Sequence, residues 1–366
     1  MRIGKVFSLL VISLLLFSGK EKDMNKPLFL MLEMKNWEAY QSDPVGEYNH
    51  DELIEPLTLQ LMTHEGQAEF YVSNVRTTVC DDEVCEIMHI KLFWDLVGNY
   101  IGYDTVPGHP LTKFDHEPFT SEDYDKLHEL LSNDGSILKF KTKEELIDKE
   151  KVKASDVVDG TTGATAVEIK EEVVEGALYT SYTIWHLAYK GDIKNTLTAH
   201  TEEVYNDGLE EQFISSGRSG YEIFALKKFT EEDFKEYRPF LLKSMKDGIP
   251  LLRKFILNDM PDRLWREEEI QTQVCGIFAL LDVNSKTLLL DKLKETEKIH
   301  LQSLELLSQE IKGMNKNQLI SYLEVLNEQK ALNKMIISLV KAASEDNHFQ
   351  YAHLIYDHAE EVLRLD

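Results

Sequence analysis

The sequence predicts an α+β domain followed by an all-α, helical-repeat-like domain, and three observations carry that prediction. Short runs of alternating apolar and polar residues recur up to about residue 104, amphipathic segments of helix length replace them beyond about residue 195, and the composition is that of a folded chain. Of 366 residues, 43% are hydrophobic and 29% charged, with only 18 Gly and 9 Pro. That length suits two or three domains with packed cores and excludes a small disulfide-stapled scaffold. Lys and Arg number 40 against 65 Asp and Glu, a net charge of −25. Such a balance argues against a general nucleic-acid or anionic-membrane binder, while leaving room for a locally basic pocket.

Taken in order, residues 1–5 form a short basic stretch, and 6–17 (VFSLLVISLLLF) an unbroken apolar run before Ser18 and Gly19. Its length and flanks read as a secretory signal peptide over 1–19, with an uncleaved N-terminal anchor as the alternative. No Cys follows the run, so lipid attachment is not expected. Residues 20–69 read as a partly β extension, in which Leu57-Thr-Leu-Gln-Leu61 alternates as a half-buried strand does. An α+β domain is expected over 70–195. Ala68-Glu-Phe-Tyr-Val72 and the run 86–94 read as strands, and 100–104 as the strand returning from a turn at 95–99. Thr120-Ser-Glu-Asp123 has the pattern of a helix cap before Tyr124, Leu127, Leu130 and Leu131. From 196 to 366 helical segments follow one another, among them one capped by Thr230-Glu-Glu-Asp233 and one opened by Ile249-Pro250. Stacked helix pairs, armadillo-like or HEAT-like, are expected there, although no strict period is visible.

The close pair Cys80 and Cys85 invites a disulfide across a tight turn in an exported chain, whereas Cys275 sits in an apolar helical stretch and is expected to pack in a core. His109, His116 and Glu117 share a loop without a second half at ligand spacing, so a loop role is preferred to a metal site. No phosphate loop, nucleophile elbow or H-E-x-x-H helix occurs, and no catalytic acid or base stands out.

The most informative stretch is Asp159-Gly-Thr-Thr-Gly-Ala-Thr165, which runs directly into an apolar-periodic segment expected to be one helix from 166 to about 188. Thr165 would then lie at a helix N-terminus, where unpaired N–H groups and the macrodipole favour a phosphate. Gly160 and Gly163 leave room for a bulky ligand, while a plain helix cap is the alternative reading. Tyr179, Tyr182, Trp185 and Tyr189 give the following helix an aromatic side, suited to core packing or to stacking on a ring.

These seven residues resemble the D-x-x-[ST]-G-A-T flavinylation motif of the FMN-binding domain family, found also in NqrC/RnfG-type electron-transfer subunits. The resemblance covers roughly residues 70–190 and not the helical C-terminal half. It implies FMN joined by a phosphoester to Thr165, with Asp159, Gly160, Thr162, Gly163 and Ala164 forming the recognised turn. It further implies an ApbE-type flavin transferase that uses FAD and Mg²⁺ outside the cytoplasm, on the periplasmic or extracellular side of a bacterial membrane. A redox protein would then be the electron partner. A flavin-free interaction scaffold built on the helices is the competing expectation.

Overall fold

In the computed structural model, which describes residues 39–49, 53–79, 87–113, 116–146, 167–329 and 331–358, the alternating runs form one antiparallel meander. Its strands are β1 (Tyr40–Tyr48), β2 (Leu57–His64), β3 (Gln67–Thr77), β4 (Met88–Trp94) and β5 (Tyr100–Thr105), each paired with the next. Every strand expected from alternation is present. β1 is a further edge strand that the alternation did not flag. Pro44 and a register shift between Pro44 and Gly46 interrupt its pattern, and an edge strand tolerates both.

Period-two alternation sorts the side chains onto two faces. Leu57, Leu59, Leu61, Tyr71, Ile90, Leu92 and Trp94 enter the larger core, whereas Met62, Phe70, Val72, Phe93 and Ile101 form a separate small cluster. The hairpin turn at 95–99 is closed by Asp95, whose buried carboxylate accepts from the backbone N–H of Val97 at 3.0 Å and of Asn99 at 2.8 Å. Burial pushes that carboxyl up, against the pull of the Asn99 donors and the nearby Arg218 guanidinium.

The helices are α1 (Ser121–Leu131), α2 (Val167–Lys170), α3 (Leu178–Ala188), α4 (Gly191–Val204), α5 (Asp207–Ser215), α6 (Ser219–Leu226), α7 (Glu231–Glu236), α8 (Arg238–Asp247), α9 (Pro250–Asp259), α10 (Asp262–Trp265), α11 (Glu268–Gly276), α12 (Val283–Glu295), α13 (Leu301–Gln309), α14 (Lys316–Asn327), α15 (Lys334–Ser344) and α16 (Ala352–His358). Both expected capping boxes form, Thr120 with Asp123 and Thr230 with Asp233, and Pro250 opens α9. None of the described helices is long and apolar enough to cross a membrane.

Helices α1, α3, α4 and α5 lie against the sheet. Trp94 Nε1 donates to the Ala188 carbonyl at 2.8 Å, and Thr201 Oγ1 donates to the Leu96 carbonyl at 2.5 Å. With the Thr201 proton committed, the Tyr71 hydroxyl donates to Thr201 at 2.6 Å and accepts from His200 Nδ1 at 3.1 Å. Burial pushes the Tyr71 hydroxyl up to about 12, so it stays a neutral donor inside the core.

The division expected at 69/70 falls inside β3, which pairs with β2 and β4 in one sheet. The division at 195/196 falls inside α4, and the first core runs on to Ala225 before the second begins at Leu226. Loss of strand pattern marks where strands stop. It does not mark where one core gives way to another, because the first helices after the strands are the ones that cover the sheet.

Beyond that seam the helices pack in two rows, α6, α9, α12, α14 and α16 in one, and α8, α11, α13 and α15 in the other. Helices α9, α12 and α14 begin at Pro250, Val283 and Lys316, steps of 33 residues. Polar ties repeat on a similar step: Arg253 reaches Asp282, Lys292 reaches Asp262 and Lys294 reaches Glu324, 29, 30 and 30 positions away. This step is shorter than the roughly 40–47 residues of armadillo and HEAT units and matches two-helix units of about 33–34. It eluded sequence reading because the ties use different residue types at each level. Cys275 lies in this second core, 1% exposed as expected, and burial pushes its thiol up to about 12.

Candidate functional site

Asp159, Gly160, Thr162, Gly163, Ala164 and Thr165 lie outside the described residues, as do Cys80, Cys85 and the segment 1–19. What the structure provides is the frame on either side of the motif. Leu146 before it and Ile169 after it are both fully buried in the first core. Lys141 and Glu168 form an ion pair at 2.9 Å, and that hydrogen bond raises the Lys141 ammonium above its ordinary value. The Glu172 carboxylate accepts from the Ser136 hydroxyl and, at 3.3 Å, from the Ile137 N–H. The residues on the two sides of the motif are therefore tied together, although the ties span 27 to 36 positions in sequence.

The helix expected from 166 to about 188 is not continuous. α2 is a single turn of four residues, and α3 begins only at Leu178. Between them Gly176 takes a φ of +77°, a conformation that favours Gly and ends a helical path. A Cβ at that position would stand 3.3 Å from Lys113 Cβ. The apolar spacing misled because Ile169, Val173, Val174, Ala177 and Leu178 are all buried through the bend. Ser181 Oγ takes the Val174 N–H at 3.2 Å, which anchors the turn to α3. A single turn sums few peptide dipoles, so the macrodipole argument for a phosphate at Thr165 loses most of its force.

The aromatic side of α3 is a docking face for residues 131–141. Tyr182 donates to the Lys141 carbonyl at 3.1 Å, Trp185 Nε1 to Asn133 at 3.0 Å, His186 Nε2 to Leu138 at 3.0 Å and Tyr189 to Leu131 at 2.6 Å. Of the two uses the sequence left open for these rings, the structure shows packing. Phe140, on the same segment, is 76% exposed.

His116 adopts a φ of +62° in a loop where Lys113 N–H bonds the Glu117 carbonyl at 2.7 Å, while the His109 ring lies 5.1 Å from His89. Asp115 is outside the described residues. Among the described residues no three His, Cys, Asp or Glu side chains gather as a metal site would require. The structure adds a cleft of about 330 Å³ between the end of α5, α6 and α8, with Glu222, Lys243 and Phe240 in its walls. Sequence reading had no means of finding it, since its residues belong to three helices and share no motif.

Comparison with family models, with curated proteins and with solved structures finds no match to this chain.

Proposed function

We propose that the chain is an exported flavoprotein that carries FMN on Thr165 through a phosphoester and exchanges electrons with a docked redox protein. The observation behind this reading is the unbroken motif Asp159-Gly-Thr-Thr-Gly-Ala-Thr165. The Thr165 hydroxyl would supply the ester oxygen, and Gly160 and Gly163 the space for the transferase and the ring. FMN supplies the redox chemistry when bound, while the chain supplies its placement. The paired flanks support such placement: the Lys141–Glu168 and Ser136–Glu172 ties hold both ends of segment 147–166 to one core. No described side chain is assigned to the flavin ring, because the polar groups of the α3 aromatic face already bond the 131–141 carbonyls.

The test is intact-mass spectrometry of the exported protein coexpressed with an ApbE-type transferase, beside Thr165→Val. A gain of one FMN in the wild type alone is expected, with flavin fluorescence surviving denaturation. No gain in either protein, while a known target is modified in parallel, would refute the reading.

The second reading, a flavin-free interaction scaffold, is favoured by the two-row helical stack. Leu251, Val283, Leu301 and Met335, at the starts of α9, α12, α13 and α15, are exposed large apolar residues there. A protein that stays colourless after transferase, FAD and Mg²⁺ yet binds a specific partner through these residues would establish it.

A further inference from the structure

The seam between the two cores contains an unassigned cleft. Its floor and walls come from the end of α5, the start of α6, the face of α8 and the turn into α9. Ile214, Phe240 and Ile249 give it an apolar side. Glu222 on α6 and Lys243 on α8 give it two opposite charges, close enough for the ammonium to act on the carboxyl, yet the two form no ion pair. Ser219, at the start of α6, lines the same cleft, and the N-cap residue Arg218 offers that helix no side-chain cap. Asp247 sits on the rim, one helical turn beyond Lys243.

We propose that this cleft binds a free α-amino acid with an apolar side chain, its ammonium facing Glu222, its carboxylate facing Lys243 and its side chain against Phe240 and Ile214. The physical case rests on the gap. Two opposite charges that line one cleft without an ion pair between them offer a zwitterion a partner for each of its ends. Burial pushes the Glu222 carboxyl up, so a cationic donor in the cleft would relieve an existing cost. The cleft of about 330 Å³ lies at the small end of ligand sites, which run from roughly 300 to 1,000 Å³, and suits a molecule of one residue rather than a peptide. The proposal does not depend on flavin.

The experiment is calorimetry and saturation-transfer NMR on the full chain with three probes: L-phenylalanine, phenethylamine, which lacks the carboxylate, and 3-phenylpropionate, which lacks the ammonium. L-phenylalanine should bind, and each one-charge probe should bind about tenfold or more weakly, as loss of a charged hydrogen bond implies. Glu222→Gln and Lys243→Gln should each weaken L-phenylalanine by a similar factor, with melting curves confirming the fold. Lys243 is exposed, so its variant decides the matter if the Glu222 variant fails to fold. No binding of L-phenylalanine up to about 10 mM overturns the proposal, as does equal binding of either one-charge probe or affinity that survives the Lys243 substitution.

Discussion

Replacing Arg253 by Met should destabilise the helical array more than any surface substitution. Arg253 lies on α9 and is 9% exposed. Its Nε donates to the Met245 carbonyl and one Nη to the Lys246 carbonyl, both at 2.8 Å, while the other Nη reaches Asp282 at 3.2 Å. The two carbonyls belong to the last turn of α8, where helical acceptors have no partner within the helix. Asp282 is the N-cap of α12 and also accepts from the N–H groups of Asn284 and Ser285. One guanidinium thus joins the end of α8 to the start of α12 across α9. In Arg253→Met the volume is kept and all three donors are lost. Hydrogen bonds to a charged group contribute about 1.5–3 kcal/mol each, and stranded buried acceptors cost about 1–3. The Asp282 side chain, 27% exposed, can turn to water, so the expected loss is about 3–5 kcal/mol rather than the sum. Arg253→Lys keeps a single point-charge donor and should recover only about 1–2 kcal/mol. The assay is urea unfolding followed by far-UV circular dichroism and by the fluorescence of Trp265, which is fully buried in the same core. A loss below about 1 kcal/mol in the Met variant, or a Lys variant equal to wild type, would refute the reasoning.

Two other outcomes follow from the same geometry. Gly98 has a φ of +75° and a Cβ there would stand 3.0 Å from the Lys194 carbonyl oxygen, whereas Gly66, at +80°, has open space around it. Gly98→Ala should therefore cost about 2–4 kcal/mol and Gly66→Ala about 1–2, read from thermal melts; equal costs would show that the approach of α4 is not the constraint. In acid, burial alone would raise the Asp123 carboxyl, but the Lys113 ammonium at 2.8 Å and the Thr120 donors outweigh it and hold it below its ordinary value. Asp282 is held low in the same way by Ser285 and Arg253. A folded pKa below the unfolded one gives stability that is complete above the unfolded value of about 3.9 and is lost as pH falls through the folded value. Stability should fall below about pH 4, and Asp123→Asn should flatten that limb in denaturation series from about pH 2 to 6; an unchanged slope would exclude Asp123 as a cause.

Local chemistry was legible wherever one stretch of chain acts alone. The alternation at 57–61 and 68–72 gave strands, Thr120-Ser-Glu-Asp123 and Thr230-Glu-Glu-Asp233 gave capping boxes, and Pro250 opened a helix. Each depends on neighbours within a few residues, which a linear pattern records directly. The stretch after the motif failed for the complementary reason. Its apolar spacing is helical, but the bend around Gly176 lies against Lys113 and is tied by Ser136 and Ser181, and Lys113 and Ser136 are more than thirty residues away. The same holds for the α3 rings, whose partners are carbonyls 41 to 58 positions distant.

By itself the sequence determined the acidic balance, the change from strands to helices and the Asp159–Thr165 motif, because composition, periodicity and motif are properties of adjacent residues. Only the tertiary structure decided that the cores divide at Ala225 and Leu226, that the helices stack in two rows on a 33-residue step, and that Glu222 and Lys243 face one cleft. Those facts arise from burial among segments far apart in the chain, where packing and the pairing of polar groups override local preference.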